Sequence, residues 1–244
     1  MPIYDIYLFD MDGTLTPARL PMTESFAVWF REFIRKNDVY IVSGSDIDKI
    51  KSQIPSDIFN NVAGIYASMG NEFYKNGAPG YERKFEPPQK LLIMLEKYRE
   101  NTKYTGKLFP NYIEMRKGMV NFSVLGRDCP YEERIKYKEW DNKNAERISI
   151  QKELSAIFND LDISIGGNIS MDIVPKGFGK EQVAALLRNK FPNSKIIFTG
   201  DKTQKGGNDY SLAQALLACG NSEIVQVDSP DDVINKFKSR TIDF

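Results

Sequence analysis

Strand-like and helix-like segments alternate through the N-terminal part of this chain, give way to a different order, and resume after Pro175-Lys176-Gly177. Ile3–Phe9 is rich in β-branched and aromatic residues and predicts a buried strand. Thr23–Lys36 carries Phe26, Phe30, Phe33 and Ile34 at helical spacing, with Thr23 placed to cap it. Asp38–Val42 predicts a second strand, Ser45–Gln53 a short helix and Val62–Ser68 a third strand. After the break, Lys180–Lys190, Tyr210–Cys219 and Asp231–Lys238 read as helices, and Lys195–Thr199 and Glu223–Val227 as strands. This rhythm builds a parallel, doubly wound α/β sheet with helices on both faces.

The interruption has its own pattern. Gly77-Ala78-Pro79-Gly80 and Pro87-Pro88 punctuate the chain, and Gln89–Glu100 predicts a helix. Tyr112–Met115 and Met119–Leu125 read as a hairpin turning at Lys117-Gly118. Tyr131–Trp140 and Ala145–Phe158 read as helices, and Asp162–Ile165 and Ile169–Val174 as strands around Gly166-Gly167. Strands and helices without strict alternation predict an α+β unit. The expected architecture is a Rossmann-like core made of residues 1–82 and 179–244, with an α+β cap of residues 83–178 inserted between them.

Composition removes whole classes of chemistry. The 244 residues include no histidine, so Ser-His-Asp catalysis and His-ligated zinc are excluded. Proton transfer falls to carboxylates, Lys, Tyr or Cys, and a metal would need oxygen ligands, which favours Mg²⁺. Lys plus Arg and Asp plus Glu balance at 33 each, which argues against a nucleic-acid binder. Cys129 and Cys219 stand apart and read as reduced thiols of a cytoplasmic protein. No apolar run is long enough for a membrane span, and acids from Asp5 onward argue against a secretory leader.

Within the predicted core, acids, a hydroxyl and a lysine sit at strand ends and helix starts. The first strand ends in Asp10-Met11-Asp12-Gly13, and ligands of open α/β sheets bind outside the carboxyl ends of strands. Ser43 follows the second strand, Lys180 opens a helix, Asp201 follows Ile196–Gly200, and Asp209 opens another helix. Each alone has a plainer reading as a turn, a cap or a solvated charge. Together they fit phosphoryl transfer, which needs a nucleophile, a divalent cation and donors for the phosphoryl oxygens. Asp10 can attack phosphorus. Mg²⁺ can bridge the Asp10 carboxylate, a phosphate oxygen, the Asp12 main-chain carbonyl and Asp201, while Ser43 and Lys180 donate to the phosphoryl oxygens. Asp209 can orient the metal's waters or Lys180.

Asp10-Met11-Asp12-Gly13-Thr14, Ser43, Lys180 and Gly200-Asp201 with Asp209 resemble the four ordered motifs of the haloacid dehalogenase superfamily. The long insertion between the Ser and Lys motifs resembles the type with a large C2 cap. A closer likeness runs along nearly the whole chain. Phe9–Arg19, Asn111–Asn121, Gly126-Arg127, Glu132–Ile135, Ser164–Asp172 and Gly200–Asp209 are similar to eukaryotic-type phosphomannomutases. That resemblance implies interconversion of mannose 6-phosphate and mannose 1-phosphate. It implies an aspartyl-phosphate on Asp10, with Asp12 as general acid and base and Arg19 beside the site. In the cap it implies that Arg116, Arg127 and Arg134, with Asn121, Ser170 and Asp172, bind the sugar and its distal phosphate. It further implies a hexose 1,6-bisphosphate activator and a homodimer through the cap. Guanidinium forks suit phosphate geometry, which supports the three arginines.

Several positions depart from the family pattern, among them Met11, Asn168, Met171, Gly179, Gln204-Lys205, Tyr210 and Ala67–Glu72. None removes a proposed catalytic group. The same core chemistry also serves a Mg²⁺-dependent sugar-phosphate phosphatase, in which water is the final acceptor. A binding module that has kept the fold without catalysis is the third alternative.

Overall fold

A computed structural model describes residues 4–240; Ile3, where the first predicted strand begins, lies outside them, as do residues 241–244. The chain divides into two compact units, Met1–Glu82 with Lys180–Phe244, and Arg83–Gly179.

In the first unit, strand β1 (Ile6–Asp10) leads to helix α1 (Glu24–Lys36), β2 (Asp38–Val42), α2 (Ile47–Gln53), α3 (Ser56–Asn61) and β3 (Gly64–Ala67). Strands β4 (Glu72–Lys75) and β5 (Ala78–Glu82) follow. The second unit comprises α4 (Gln89–Glu100), β6 (Ile113–Arg116), β7 (Met119–Phe122), α5 (Tyr131–Asn144), α6 (Glu146–Ile157), β8 (Leu161–Gly166) and β9 (Ser170–Pro175). The chain then returns to the first unit as α7 (Gln182–Lys190), β10 (Ile196–Gly200), α8 (Tyr210–Ala218), β11 (Ser222–Gln226) and α9 (Pro230–Arg240).

The seven-stranded sheet runs β11-β10-β1-β2-β3-β4-β5. The first five are parallel, and β4 and β5 join antiparallel at one edge. Successive residues of a strand face opposite sides. Phe9, Val39, Ile41 and Ile197 therefore enter one core with Phe26 and Phe30 of α1 and Val233 of α9. Leu8, Tyr40, Val42 and Phe198 enter another with Val183 and Leu187 of α7 and Leu212 of α8. Helix α1 begins at its predicted cap, where Thr23 Oγ1 accepts from the Phe26 amide at 3.4 Å.

Three elements of this unit depart from the sequence reading. Helix α3 is new; Asp57 is held on α1 by Arg31 at 2.6 Å, a tertiary contact that local patterning does not carry. The Gly77–Gly80 stretch, read as punctuation, belongs to the β4–β5 hairpin. Lys75 pairs with Ala78 across Asn76 and Gly77, both at positive φ (50° and 75°), as a two-residue hairpin turn requires. Pro79 is tolerated because β5 is an edge strand.

The second unit is a four-stranded antiparallel sheet, β6-β7-β9-β8. Val120, Phe122, Met171 and Ile173 pack with Leu91, Leu95, Tyr137, Ile150 and Leu154 of its helices. The alternate residues turn to the opposite face, where Glu114 pairs with Asn121 and Asn121 with Asp172 across the strands. Arg147 anchors α6 to this sheet: it bonds buried Asp141 at 2.7 Å and the carbonyls of Gly167 and Ser170 at 3.2 and 3.3 Å.

Candidate active site

Strands β2, β1 and β10 lie side by side, with Asp10 opposite Val42 and Phe9 opposite Thr199. Asp10, Ser43 and Asp201 therefore emerge at one carboxyl edge. The connections leave β1 toward β2 on one side and arrive at β10 on the other, the switch point where open α/β sheets bind ligands.

Lys180 and Asp209 complete the cluster, each just before a helix. Lys180 Nζ is buried and donates to Asp10 Oδ1 and to Asp209 Oδ1, both at 2.5 Å. Asp10 and Asp209 are 3% and 0% exposed, so these are charge interactions with little solvent around them. Burial lifts the Asp10 carboxyl to about 8, and Asp209 adds to the rise while Lys180 opposes it. Burial alone would lower Lys180, but Asp10 and Asp209 outweigh it and hold the ammonium charged. Asp201 is also raised, chiefly by burial, while the neighbouring Lys202 ammonium opposes the shift. Gly13, at φ 93°, has no room for a side chain because a Cβ would overlap the Asp201 carboxylate.

Asp10, Asp201 and Asp209 each offer an oxygen within 4.8 Å of the others. Asp10 Oδ2 and Asp201 Oδ1 are buried and without a hydrogen-bond partner. Buried acceptors are normally satisfied, so two orphaned carboxylate oxygens among three acids mark a place for a cation. An all-oxygen donor set suits a hard divalent ion. The residues fit such a metal.

Asp12 stands apart from this acidic group. Its Oδ1 accepts from the Arg19 amide at 2.7 Å and from Gln53 Nε2 at 3.0 Å. Its predicted metal contact is through the main-chain carbonyl, so the side chain is left for other work. Ser43 is buried; its Oγ accepts from the Ser45 amide at 3.0 Å, and its carbonyl accepts from the Met69 amide at 2.9 Å. Ser68, Met69 and Gly70 all have positive φ (47°, 61° and 89°), so the segment that fixes the Ser43 loop is backbone-strained. It is also tied to α7 by Gln182 Nε2, which donates to the Met69 carbonyl at 3.0 Å.

Of the predicted sugar-binding residues, Arg116, Asn121, Ser170 and Asp172 lie on the strands of the second unit's sheet and Arg127 reaches them from a loop, whereas Arg134 comes from α5 and Arg19 belongs to the first unit. Arg127 Nη1 donates to Asn121 Oδ1 at 2.5 Å and to Ser170 Oγ at 2.9 Å, and Asn121 donates to Asp172 Oδ1 at 2.5 Å. Burial raises Asp172, with Arg116, Asn121 and Arg127 opposing. Arg134 donates to the carbonyls of Arg127 and Cys129, and its Nη1 is buried without a partner.

Sequence reasoning did not single out Glu114. One oxygen, Oε2, holds both Arg116 at 2.6 Å and Arg127 at 2.7 Å. Its signal was its place in the Tyr112–Arg116 stretch beside an arginine. Gln53 was missed as well; its signal was a polar residue on the stripe of Ile47 and Ile50 along α2.

The eukaryotic phosphomannomutase family model matches residues 26–241. A phosphomannomutase of Dendrobium officinale is 34% identical over 245 residues, covering 96% of this chain and 92% of that protein. The chain belongs to the eukaryotic phosphomannomutase family. A second member of the family, from Encephalitozoon cuniculi, is 33% identical over 95% of this chain and 91% of its own length. Both alignments cover nearly the whole chain. At the level of fold, a truncated Plasmodium falciparum IMP-nucleotidase superposes with a TM-score of 0.66 at 19% identity, covering 97% of this chain and 70% of that one. The phosphomannomutase family and this fold likeness agree with a parallel core carrying an inserted antiparallel sheet.

Proposed function

We propose that this chain interconverts mannose 6-phosphate and mannose 1-phosphate through a phosphate carried on Asp10, primed by a hexose 1,6-bisphosphate. The observation that carries the reading is Asp10 itself. One of its oxygens is held by Lys180 and the other is unpartnered, in a chain of the phosphomannomutase family.

The Asp10 carboxylate is the nucleophile. As its bond to phosphorus forms, the bond from phosphorus to the sugar oxygen breaks, and Asp12 gives that oxygen a proton. In the return step an incoming sugar hydroxyl gives its proton to Asp12 and takes the phosphoryl group from Asp10. Lys180 fixes the Asp10 carboxylate and, with Ser43, offers donors to the phosphoryl oxygens. Asp10, Asp201 and Asp209, with the Asp12 main-chain carbonyl, would hold Mg²⁺, which supplies positive charge against the repulsion between carboxylate and phosphate. Arg19 stands beside this machinery through its amide on Asp12. Arg116, Arg127 and Arg134, with Asn121, Ser170 and Asp172, bind the sugar and the phosphate that does not react.

The test supplies mannose 1-phosphate, Mg²⁺ and catalytic glucose 1,6-bisphosphate. Mannose 6-phosphate is expected without free phosphate. Stoichiometric release of phosphate would instead make the protein a sugar-phosphate phosphatase. A homodimer through the second unit belongs to the same reading, supported by the edge position of β6 and the exposure of Met115 and Tyr131. Light scattering tests it, with a monomer overturning it. Among the described residues, no helix is long and apolar enough to cross a membrane.

A further inference from the structure

Gln53 ends α2 and is 2% exposed, on the same buried stripe as Ile47 and Ile50. Its side-chain amide has one busy end and one idle end. Nε2 lies 3.0 Å from Asp12 Oδ1, 3.2 Å from Thr16 Oγ1 and 3.1 Å from the Leu20 carbonyl. Oε1 is buried with no hydrogen-bond partner. Two of the three groups around Nε2 can only accept, so turning the amide over would set oxygen against oxygen. A buried amide with an unsatisfied carbonyl is unfavourable in an otherwise apolar stripe, and its presence there calls for a use of the donor end.

That use is at Asp12. Its Oδ1 takes a second bond, at 2.7 Å, from the amide of Arg19. Arg19 sits at φ 65°, a conformation uncommon for a side-chain-bearing residue. Lys49, from the same helix as Gln53, donates to the Arg19 carbonyl at 3.4 Å. Helix α2 thus grips the Pro17–Leu20 turn and the Asp12 side chain together. Both donors converge on one oxygen, and among the described residues no protein group donates to the other, Oδ2. We infer that Gln53 is a positioning residue for the Asp12 carboxylate, which fixes Oδ1 and leaves Oδ2 as the oxygen that exchanges the sugar's proton. The inference rests on the reading of Asp12 as acid and base.

The experiment separates proton transfer from phosphoryl transfer by the leaving group. Single-turnover phosphorylation of the Mg²⁺-loaded enzyme is measured with p-nitrophenyl phosphate and with glucose 1,6-bisphosphate. Nitrophenolate departs without a proton, whereas a sugar oxygen needs one. In Gln53→Met the bisphosphate step is expected to slow about tenfold or more, while the aryl step stays within about twofold of the parent. Equal losses in both arms would make Gln53 a merely structural residue, and no loss in either would also overturn the inference. If Gln53→Met does not accumulate folded, Gln53→Asn carries the same test, because the shorter amide withdraws the donor from Asp12. Asp12→Ala is run beside them. Should it lack the leaving-group dependence, the reading of Asp12 falls and the inference with it. Should Asp12→Ala show the dependence and the Gln53 variants not, the inference alone falls.

Discussion

The affinity of the acidic cluster for Mg²⁺ should rise steeply with pH. Asp10 has its carboxyl lifted to about 8, first by burial and then by Asp209. In the metal-free protein it therefore carries a proton at neutral pH, and a bound cation must displace that proton. Near pH 6 about one Asp10 in a hundred is ionised, and near pH 8 about half are, so the apparent affinity should improve about 50-fold across that interval. That is about 2 kcal/mol of binding free energy. Lys180 is held charged throughout, so the proton belongs to the acids. Asp201 is raised in the same sense, chiefly by burial. Isothermal titration of Mg²⁺ into metal-free protein at both pH values reads the ratio. Repeating it in buffers with different ionisation heats counts the proton released. Equal affinities within about twofold, with no proton released, would refute the argument by showing Asp10 already ionised. Linkage fixes a second sign. The Asp10 pKa lies above its ordinary value of 3.8, so the folded state binds the extra proton between about pH 4 and pH 8. The metal-free protein should lose stability as pH rises through that window, and Mg²⁺ should restore most at its upper end.

Asp10→Asn should abolish turnover in the mutase assay while leaving the circular dichroism spectrum intact. Near pH 8 it should also raise the melting temperature of the metal-free protein, because it removes one of several crowded buried charges; a lower melting temperature would contradict that. Arg147→Met leaves Asp141, 5% exposed, without its cation and should cost about 3–5 kcal/mol in urea unfolding. A loss below about 1 kcal/mol would mean that the pair is not effectively buried. Arg127→Ala removes the donor shared by Asn121 and Ser170 and should raise KM for mannose 1-phosphate about tenfold or more, with kcat much less affected. An unchanged KM would remove Arg127 from the proposed sugar-phosphate site.

How much of this was legible in the chain depended on how local each cause is. β2 spans Asp38–Val42 and α4 spans Gln89–Glu100, the same bounds their patterns predict, because alternation and helical spacing are written in consecutive residues. Helix α3 is only six residues long, and its link to α1 is a tertiary contact. The β4–β5 hairpin was hidden by Pro79 and Gly80, whose breaking effect vanishes at a sheet edge that only the strand order reveals. In the site, Asp10, Lys180, Asp201 and Asp209 were visible because each stands at a strand end or a helix start. Gln53 and Glu114 lie within regular elements, so their partners depend on helix packing and strand register. Glu114 meets Arg116 on its own strand, but the register of β6 with β7 sets it beside Asn121, the partner of Arg127.

The two units present opposite electrostatic problems, and each is left incompletely balanced. Three carboxylates of the core face one buried ammonium and the exposed Lys202, an excess of one acid by formal count, which the proton on Asp10 relieves until a cation takes its place. In the second unit, Arg116, Arg127 and Arg134 are grouped with Glu114 and Asp172, an excess of one positive charge by formal count. Three unopposed guanidiniums would hold a phosphate strongly. Here Glu114 already occupies Arg116 and Arg127 through one oxygen, so a phosphate must compete for them. Weaker binding is what the proposed reaction demands. After the first transfer the sugar must let go of these arginines and return with its other phosphate, and a group bound too tightly would stall between the two halves. An acid inside the proposed anion site would lower affinity for both ends of the sugar alike, and so would favour exchange over capture.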